Sequence, residues 1–395
     1  MEEWKSYKLS EIGTVVGGAT PSTKVPENYD GEISWITPKD LSNFAGRYIF
    51  RGERNITQRG YNSCSCQLLP KGTVLFSSRA PIGYVAIAGK EMCTNQGFKS
   101  IIPNSKIVDY RFLYYLLKFN KNRIADLGSG TTFMEISGSV MRNVEISLPN
   151  LSTQKRIAEV LCSIDDKIEL NNRINHNLEE QAKAMYKSWF VDFEPFKDGT
   201  FVDSELGLIP KGWRVGTIYD ICDVYYGAPF NSTLFNSERK GSPLIRIRDL
   251  AKQEAGVFTE ERHPKGQLTC KGDILVGMDG EFSIYIWGGE DSWINQRISR
   301  FSPKPGISHY YLTETLRPQL KAVESSEVAT TVIHIGKNDY DKFLAIIPPQ
   351  SVMDSFYRVS EPLYLQYVDN LSGNQELSES RDVLLPRLMS GLLTC

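Results

Sequence analysis

Residues able to do chemistry are few and poorly spaced for it. Cys64-Ser-Cys66 is the one close pair among seven cysteines, and it lacks both the two-residue gap and the second pair that a tetrahedral zinc site usually shows. The four histidines, His176, His263, His309 and His334, stand apart and form no HExxH or His-x-His pattern. A methyltransferase that extrudes its base carries an Asp/Asn-Pro-Pro-Tyr/Phe element and a glycine-rich cofactor loop. Ile347-Pro-Pro-Gln350 has the prolines without the flanking polar and aromatic groups, and is expected to end a strand ahead of a helix. Gly17-Gly18 leads into no GxxG helix start, and there is neither a GxxxxGK[ST] phosphate loop nor an Asp followed by a Glu-x-Lys triplet for a nuclease's magnesium. These patterns predict a chain without catalytic residues, metal or cofactor of its own.

What must position any binding residues is a chain of 395 residues, too long for one ordinary domain. Its 41% hydrophobic and 23% charged residues are globular values, and no stretch approaches the ~20 apolar residues of a membrane span. Met1-Glu-Glu-Trp-Lys has no apolar core of a secretory signal, and an odd number of scattered cysteines argues against a disulfide framework. A cytoplasmic location with free thiols is expected. The net charge of −2 hides an asymmetry: residues 1–150 hold 18 Lys+Arg against 13 Asp+Glu, or +5, and the remainder 27 against 34, or −7. A polyanion partner for the first part is compatible with this excess, and so is an ordinary mixed surface.

The stronger signal is an internal repeat. A shift of 209 superposes Trp4 on Trp213, Leu9 on Ile218, Ile12 on Ile221, Gly18-Ala19 on Gly227-Ala228 and Trp35–Leu41 on Leu244–Leu250. After a nine-residue deletion, a shift of 200 aligns Lys71-Gly72 with Lys271-Gly272, Leu75 with Leu275 and Asn95-Gln96 with Asn295-Gln296. A shift of 199 then brings Thr131-Thr132 to Thr330-Thr331 and Pro149 to Pro348. Within each copy short β-branched and aromatic runs such as Thr73–Ser77 and Tyr84–Ala88 lie between Gly, Pro and Asn breakers, and Tyr110–Lys118 has helical periodicity. Each copy is therefore expected to be an α+β domain.

After each copy the pattern turns helical. Ile157, Leu161, Ile164, Ile168, Asn171, Asn175, Leu178, Ala182, Met185 and Trp189 follow steps of four and three, a heptad seam. The shift of 199 sets Phe356, Leu363, Asn370, Asn374, Leu377, Leu384 and Leu388 opposite seven of them. Two matched amphipathic helices bury their stripes most simply against each other, as an antiparallel coiled coil. About 39 residues would span roughly 58 Å. The four asparagines either fix register inside the seam, as buried polar residues do, or face solvent at mid-helix. Pro362, Gly373 and Pro386 predict a kinked or broken second helix. The expected fold class is two tandem homologous α+β domains separated by two long helices. Its boundaries are 1–150, 151–198 (first helix and linker), 199–350 and 351–395.

Trp189-Phe-Val-Asp-Phe-Glu-Pro-Phe196, Asp203-Ser-Glu-Leu-Gly-Leu-Ile-Pro-Lys-Gly-Trp213 and Arg381-Asp-Val-Leu-Leu-Pro-Arg-Leu-Met-Ser-Gly391, with Leu148-Pro149 ahead of Gln154-Lys-Arg-Ile-Ala158, resemble the specificity (S) subunit of type I restriction-modification systems along the whole chain. The second copy has Met353-Asp-Ser-Phe356 where the first has Gln154-Lys-Arg-Ile. The resemblance implies that each α+β copy is a target-recognition domain for one half of a split, asymmetric sequence in double-stranded DNA. It further implies that the helices set the spacing and dock two methyltransferase (M) subunits. Restriction (R) subunits would complete the complex, and S-adenosylmethionine, ATP and Mg would be used by these partners. The competing reading is a duplicated protein-binding or structural module without DNA specificity.

If the chain reads DNA, phosphate contacts require Lys, Arg, Ser, Thr or backbone N–H groups, while Arg suits guanine and Asn or Gln suits adenine. In the first copy the candidates that follow or interrupt strand-like runs are Thr20, Ser22, Thr23, Lys24, Lys39, Ser78, Arg79, Asn95 and Gln96. In the second they are Asn231, Ser232, Thr233, Arg246, Arg248, Asn295, Gln296 and Arg297. Asn95-Gln96 and Asn295-Gln296 recur in both copies, which suits a role in the fold rather than in sequence reading.

Overall fold

Short β-branched and aromatic runs, each ended by Gly, Pro or Asn, build the same sheet twice in the computed structural model, which describes residues 4–42, 44–129, 134–326 and 333–393. In the first copy Gly13–Gly17, Lys99–Pro103, Val74–Phe76 and Val85–Ala88 lie side by side in that order, all antiparallel, with Tyr48–Ile49 added in parallel at the edge. In the second, Cys222–Tyr226, Ile298–Pro303, Ile274–Gly277 and Ile284–Ile286 repeat the order. Registers repeat as well. Trp35 pairs in parallel with Cys93 and Leu244 with Trp293; Lys5 pairs antiparallel with Leu148 and Arg214 with Ile347. These pairs carry the shifts of 209, 200 and 199 from sequence into space. The repeated Thr131-Thr132 and Thr330-Thr331 lie outside the described residues.

A helix covers each sheet. Asp109 caps Tyr110–Ala125, accepting from the amides of Arg111 and Phe112. That helix buries Phe112, Tyr115 and Leu116 with Val74, Phe76 and Ile101. His309–Ser326 does the same with Tyr311, Leu312 and Leu316 against Ile274, Val276 and Phe301. Gly72 and Gly272 both sit at φ +86° in the turn before the strand, a conformation that costs glycine little and other residues more.

The two long helices, Leu151–Phe190 and Gln350–Met389, each follow a Pro-containing turn. Compact packing divides the chain into Met1–Glu169 with Leu377–Cys395, and Leu170–Glu376, so both divisions fall inside these helices. In the second unit Asn171 Nδ2 donates to Asn374 Oδ1 at 2.8 Å, and Asn370 Nδ2 donates to Asn175 Oδ1 at 2.8 Å. As one number rises by four its partner falls by four, which makes the pair antiparallel. The two bonds are also the same contact seen twice, because the shift of 199 converts Asn171 into Asn370 and Asn175 into Asn374.

The ends of the seam do more than meet the other helix. Ile157 and Leu161 are buried in the first domain's core with Leu388 and Met389, with Leu384 packed alongside. Phe356, with Met185 beside it, joins the second domain's core, and Leu363 packs near Ala182 and Tyr364. Leu178 is buried, and Ile164, Ile168 and Leu377 are half-buried.

The second long helix is continuous from Gln350 to Met389, which corrects the expected break. Pro362 and Pro386 are exposed, as are Arg358 and Asp382 four residues earlier, whose carbonyls lose their helical donors; water can satisfy those oxygens. A Cβ on Gly373 would meet nothing within 4 Å, so that glycine marks no tight approach. Among the described residues, no helix is long and apolar enough to cross a membrane.

Candidate nucleic-acid interface

Thr20, Ser78, Arg79, Asn95 and Gln96 of the first copy converge on one corner of the domain. Gly18 lies so close to the Thr94-Asn95 backbone that a Cβ there would collide with both carbonyl oxygens, and Gly227 stands equally close to Ile294-Asn295. Ala19 N donates to Thr94 O, and Ala228 N to Ile294 O. This closure sets the loop after the first sheet strand beside segment 95–97. Thr20 Oγ1 then donates to Gln96 Oε1, while Ser22, Thr23 and Lys24 lie exposed beyond.

Asn95 is a framework residue. Its amide N–H donates to Ile36 O at 2.9 Å and its Oδ1 accepts from Gly97 N at 2.9 Å; Asn295 N donates to Ile245 O at 3.0 Å. Gln96 and Gln296 project as exposed side chains. Ser78 departs from expectation: it is fully buried, its amide and hydroxyl both donate to Gly97 O, and its own carbonyl accepts from Ile136 N. Such a residue ties the corner together and cannot reach a phosphate where it stands.

At the corner the two copies differ in charge. In the first, Arg79 Nε faces Glu135 Oε2 at 3.0 Å, with Lys99 Nζ 3.5 Å from Glu135 Oε1. In the second, Asp279 replaces the arginine and His334 replaces the glutamate, their atoms Oδ1 and Nδ1 2.8 Å apart. Arg297, where the first copy has Gly97, places Nε 3.4 Å from Asp279 Oδ2 and Nη1 3.2 Å from His334 Nδ1. The same backbone positions join, for Arg79 bridges to Glu135 and Asp279 to His334. Glu135, Asp279 and His334 were absent from the sequence candidates. The visible signal was that aligned positions 79/279 and 135/334 both change charge between copies.

The remaining candidates do not join this corner through any hydrogen bond or ion pair among the described residues. Lys39 is exposed on the short helix Pro38–Ser42 and pairs with Glu53 at 2.7 Å, an arrangement that holds its ammonium above the usual lysine range. Asn231 caps the 3-10 turn Ser232–Leu234, accepting from Thr233 N and Oγ1; Ser232 and Thr233 are exposed on it. Arg246 is half-buried against the buried Asp249 at 2.9 Å, whereas Arg248 is exposed on the following turn. The Cys64 and Cys66 sulfurs lie 3.3 Å apart beside Tyr29, Trp35 and Cys93, and burial pushes the Cys93 thiol up to about 11, so it is not a ready nucleophile.

Comparison with known proteins agrees with this duplicated architecture. The family model for the type I restriction modification DNA specificity domain matches residues 1–180 and 210–352. The chain is 38% identical to the type I restriction enzyme MjaIX specificity subunit of Methanocaldococcus jannaschii, covering 99% of this chain and 94% of that one. It is 24% identical to the HindI specificity subunit of Haemophilus influenzae, covering 99% and 100%. The fold matches a type I restriction-modification S subunit from M. genitalium with a TM-score of 0.58 at 17% identity, over 98% and 96% of the two chains. With the repeat, the paired helices and the family match in agreement, the chain belongs to the specificity subunits of type I restriction-modification systems.

Proposed function

We propose that the chain is a non-catalytic, cytoplasmic subunit that reads a bipartite, asymmetric sequence in double-stranded DNA, one half with each domain, and docks two methyltransferase subunits. Restriction subunits join in the full complex, and S-adenosylmethionine, ATP and Mg are handled by those partners. The observation that carries this reading is the pair of domains sharing the order of four antiparallel strands and the register of one parallel pair, whose matched corners hold different side chains, Arg79 with Glu135 against Asp279 with Arg297 and His334. One scaffold offering two recognition surfaces suits two different half-sites, as paired readers elsewhere contact two separated segments of a duplex. Pseudo-equivalent helix contacts such as Asn171–Asn374 and Asn370–Asn175 suit two identical partners.

Gel-shift titrations with duplexes carrying the methylated motif of the source cell, with and without the methyltransferase subunits, test the reading. Tight binding to a split motif is expected only with the subunits present, because a chain of net charge −2 offers little non-specific attraction. The lone chain with S-adenosylmethionine should transfer no methyl group to DNA. Methyl transfer without a second protein, or a complex indifferent to sequence, would overturn the proposal.

A further inference from the structure

We infer that each domain reads a guanine in its half of the target through one carboxylate-held arginine, Arg79 in the first domain and Arg297 in the second. This rests on the DNA-reading function proposed above and assigns the chemistry of one position in each half. Both arginines are about half exposed, with side-chain accessibilities of 46% and 50%, and both arise where the 95–97 or 295–297 segment meets the end of a central sheet strand. A carboxylate on the Nε side, Glu135 at 3.0 Å or Asp279 at 3.4 Å, limits the swing of the guanidinium. The terminal nitrogens of Arg79 remain the edge that matches guanine O6 and N7 in the major groove; Arg297 presents Nη2 in the same way, while its Nη1 lies 3.2 Å from His334 Nδ1 and meets the base only as that contact opens.

The two domains build this unit from different positions. Arg79 follows the strand Val74–Phe76, with its acid at Glu135; in the second domain the acid, Asp279, follows Ile274–Gly277 and the arginine stands at 297. An exposed ion pair contributes little to stability, so its reconstruction from other residues after duplication points to a use for the held arginine. Arg246, by contrast, is tied to a buried aspartate three residues away in its own turn, and Arg248 has no carboxylate within ion-pair distance among the described residues.

The test uses the full chain with its methyltransferase subunits and reads the methylated motif by sequencing modified DNA, for the wild type and for R79A, R79K, E135Q, R297A, R297K and D279N. The wild-type motif should contain a G·C pair in each half. R79A should relax that single position in one half by roughly tenfold or more and leave the other half intact; R297A should do the converse. E135Q and D279N should relax the same positions to a lesser degree, which a merely structural loss would not confine to one base pair. The lysine variants should restore the preference only in part, because an ammonium has neither the planar pair of donors nor the Nε–H through which the carboxylate holds the arginine. The unaffected half controls for folding. A half without a G·C pair, an unchanged motif in R79A or R297A, or full rescue by lysine would overturn the assignment while leaving the bipartite reading standing. A complex that recognises no split motif would remove both.

Discussion

Where the first domain meets its segments of the long helices, Asp165 is buried between two arginines: Arg381 Nη1 lies 2.9 Å from its Oδ1 and Arg47 Nε 3.9 Å from its Oδ2. Tyr115 donates to the same carboxylate at 2.6 Å, and Arg47 is held further by Asp166 and Glu169. In the second unit the shift of 199 turns Asp165 into Tyr364 and Arg381 into Ala182. There Tyr364 packs with Ala182, Ile286 and Tyr310, donates its hydroxyl to Gly272 O and stacks on His309 at 4.2 Å. One backbone has thus been sealed in two ways, by a buried ion network and by an aromatic plug. The two units are therefore vulnerable to different substitutions. An ion network is stable only while every charge keeps its partner, whereas an aromatic plug loses contacts in proportion to what is removed.

The largest expected effect comes from breaking the network. Asp165→Asn should cost the first unit about 3–5 kcal/mol by leaving Arg47 and Arg381 short of a buried counter-charge, whereas Tyr364→Phe should cost the second about 1 kcal/mol for one hydrogen bond. Chemical denaturation of each variant checks the ranking, and similar losses would erase the distinction. Transplanting the second unit's solution sharpens the comparison: D165Y/R381A should be more stable than D165N, since it also removes Arg381, the cation that D165N leaves without its buried partner, while Arg47 keeps Asp166 and Glu169 in both.

An intermediate effect is expected where the two halves of the molecule agree. Asn171→Leu and Asn370→Leu remove equivalent donors from Asn374 and Asn175, so each should cost roughly 1 kcal/mol. Thermal unfolding of the two variants should give matching shifts, and a several-fold difference would show that the repeated bonds are not energetically equivalent.

The smallest effect concerns Lys118, whose ammonium lies 5.3 Å from the Tyr114 ring centroid. Burial, and then the charge of Arg381, lower its pKa below 10.5. The unfolded chain therefore binds this proton better, so stability rises as pH climbs from the folded pKa toward 10.5 and is lost as pH falls through the folded pKa. Lys118→Met should raise stability near neutral pH by under about 1 kcal/mol and flatten that rise; an unchanged slope between pH 7 and 10.5 would contradict it.

The duplication was legible because it is written in ordered residue matches, and the strand registers follow the same shifts. The long helices were legible from their heptads, but Pro362 and Pro386 were misread because sequence does not say which helix face meets water. The Arg47–Asp165–Arg381 network was hidden, since its members are separated by more than a hundred residues and look like surface charges until the fold assembles them. Ser78 was misjudged for the same reason: a serine after a strand looks available until Gly97 covers it. The corner pairs stood half in view, as charge changes at aligned positions whose contact only the fold reveals.

If two copies of one fold read two independent half-sites, exchanging one domain must change one half of the target alone. Residues 1–150 are replaced by the matching domain of a related specificity subunit with a known target. The chimera is combined with its methyltransferase subunits, and the methylated motif is read from the modified DNA. The expected result is a split motif in which one half becomes that of the donor while the other half and the gap persist. A motif altered in both halves, or unaltered in either, would contradict it.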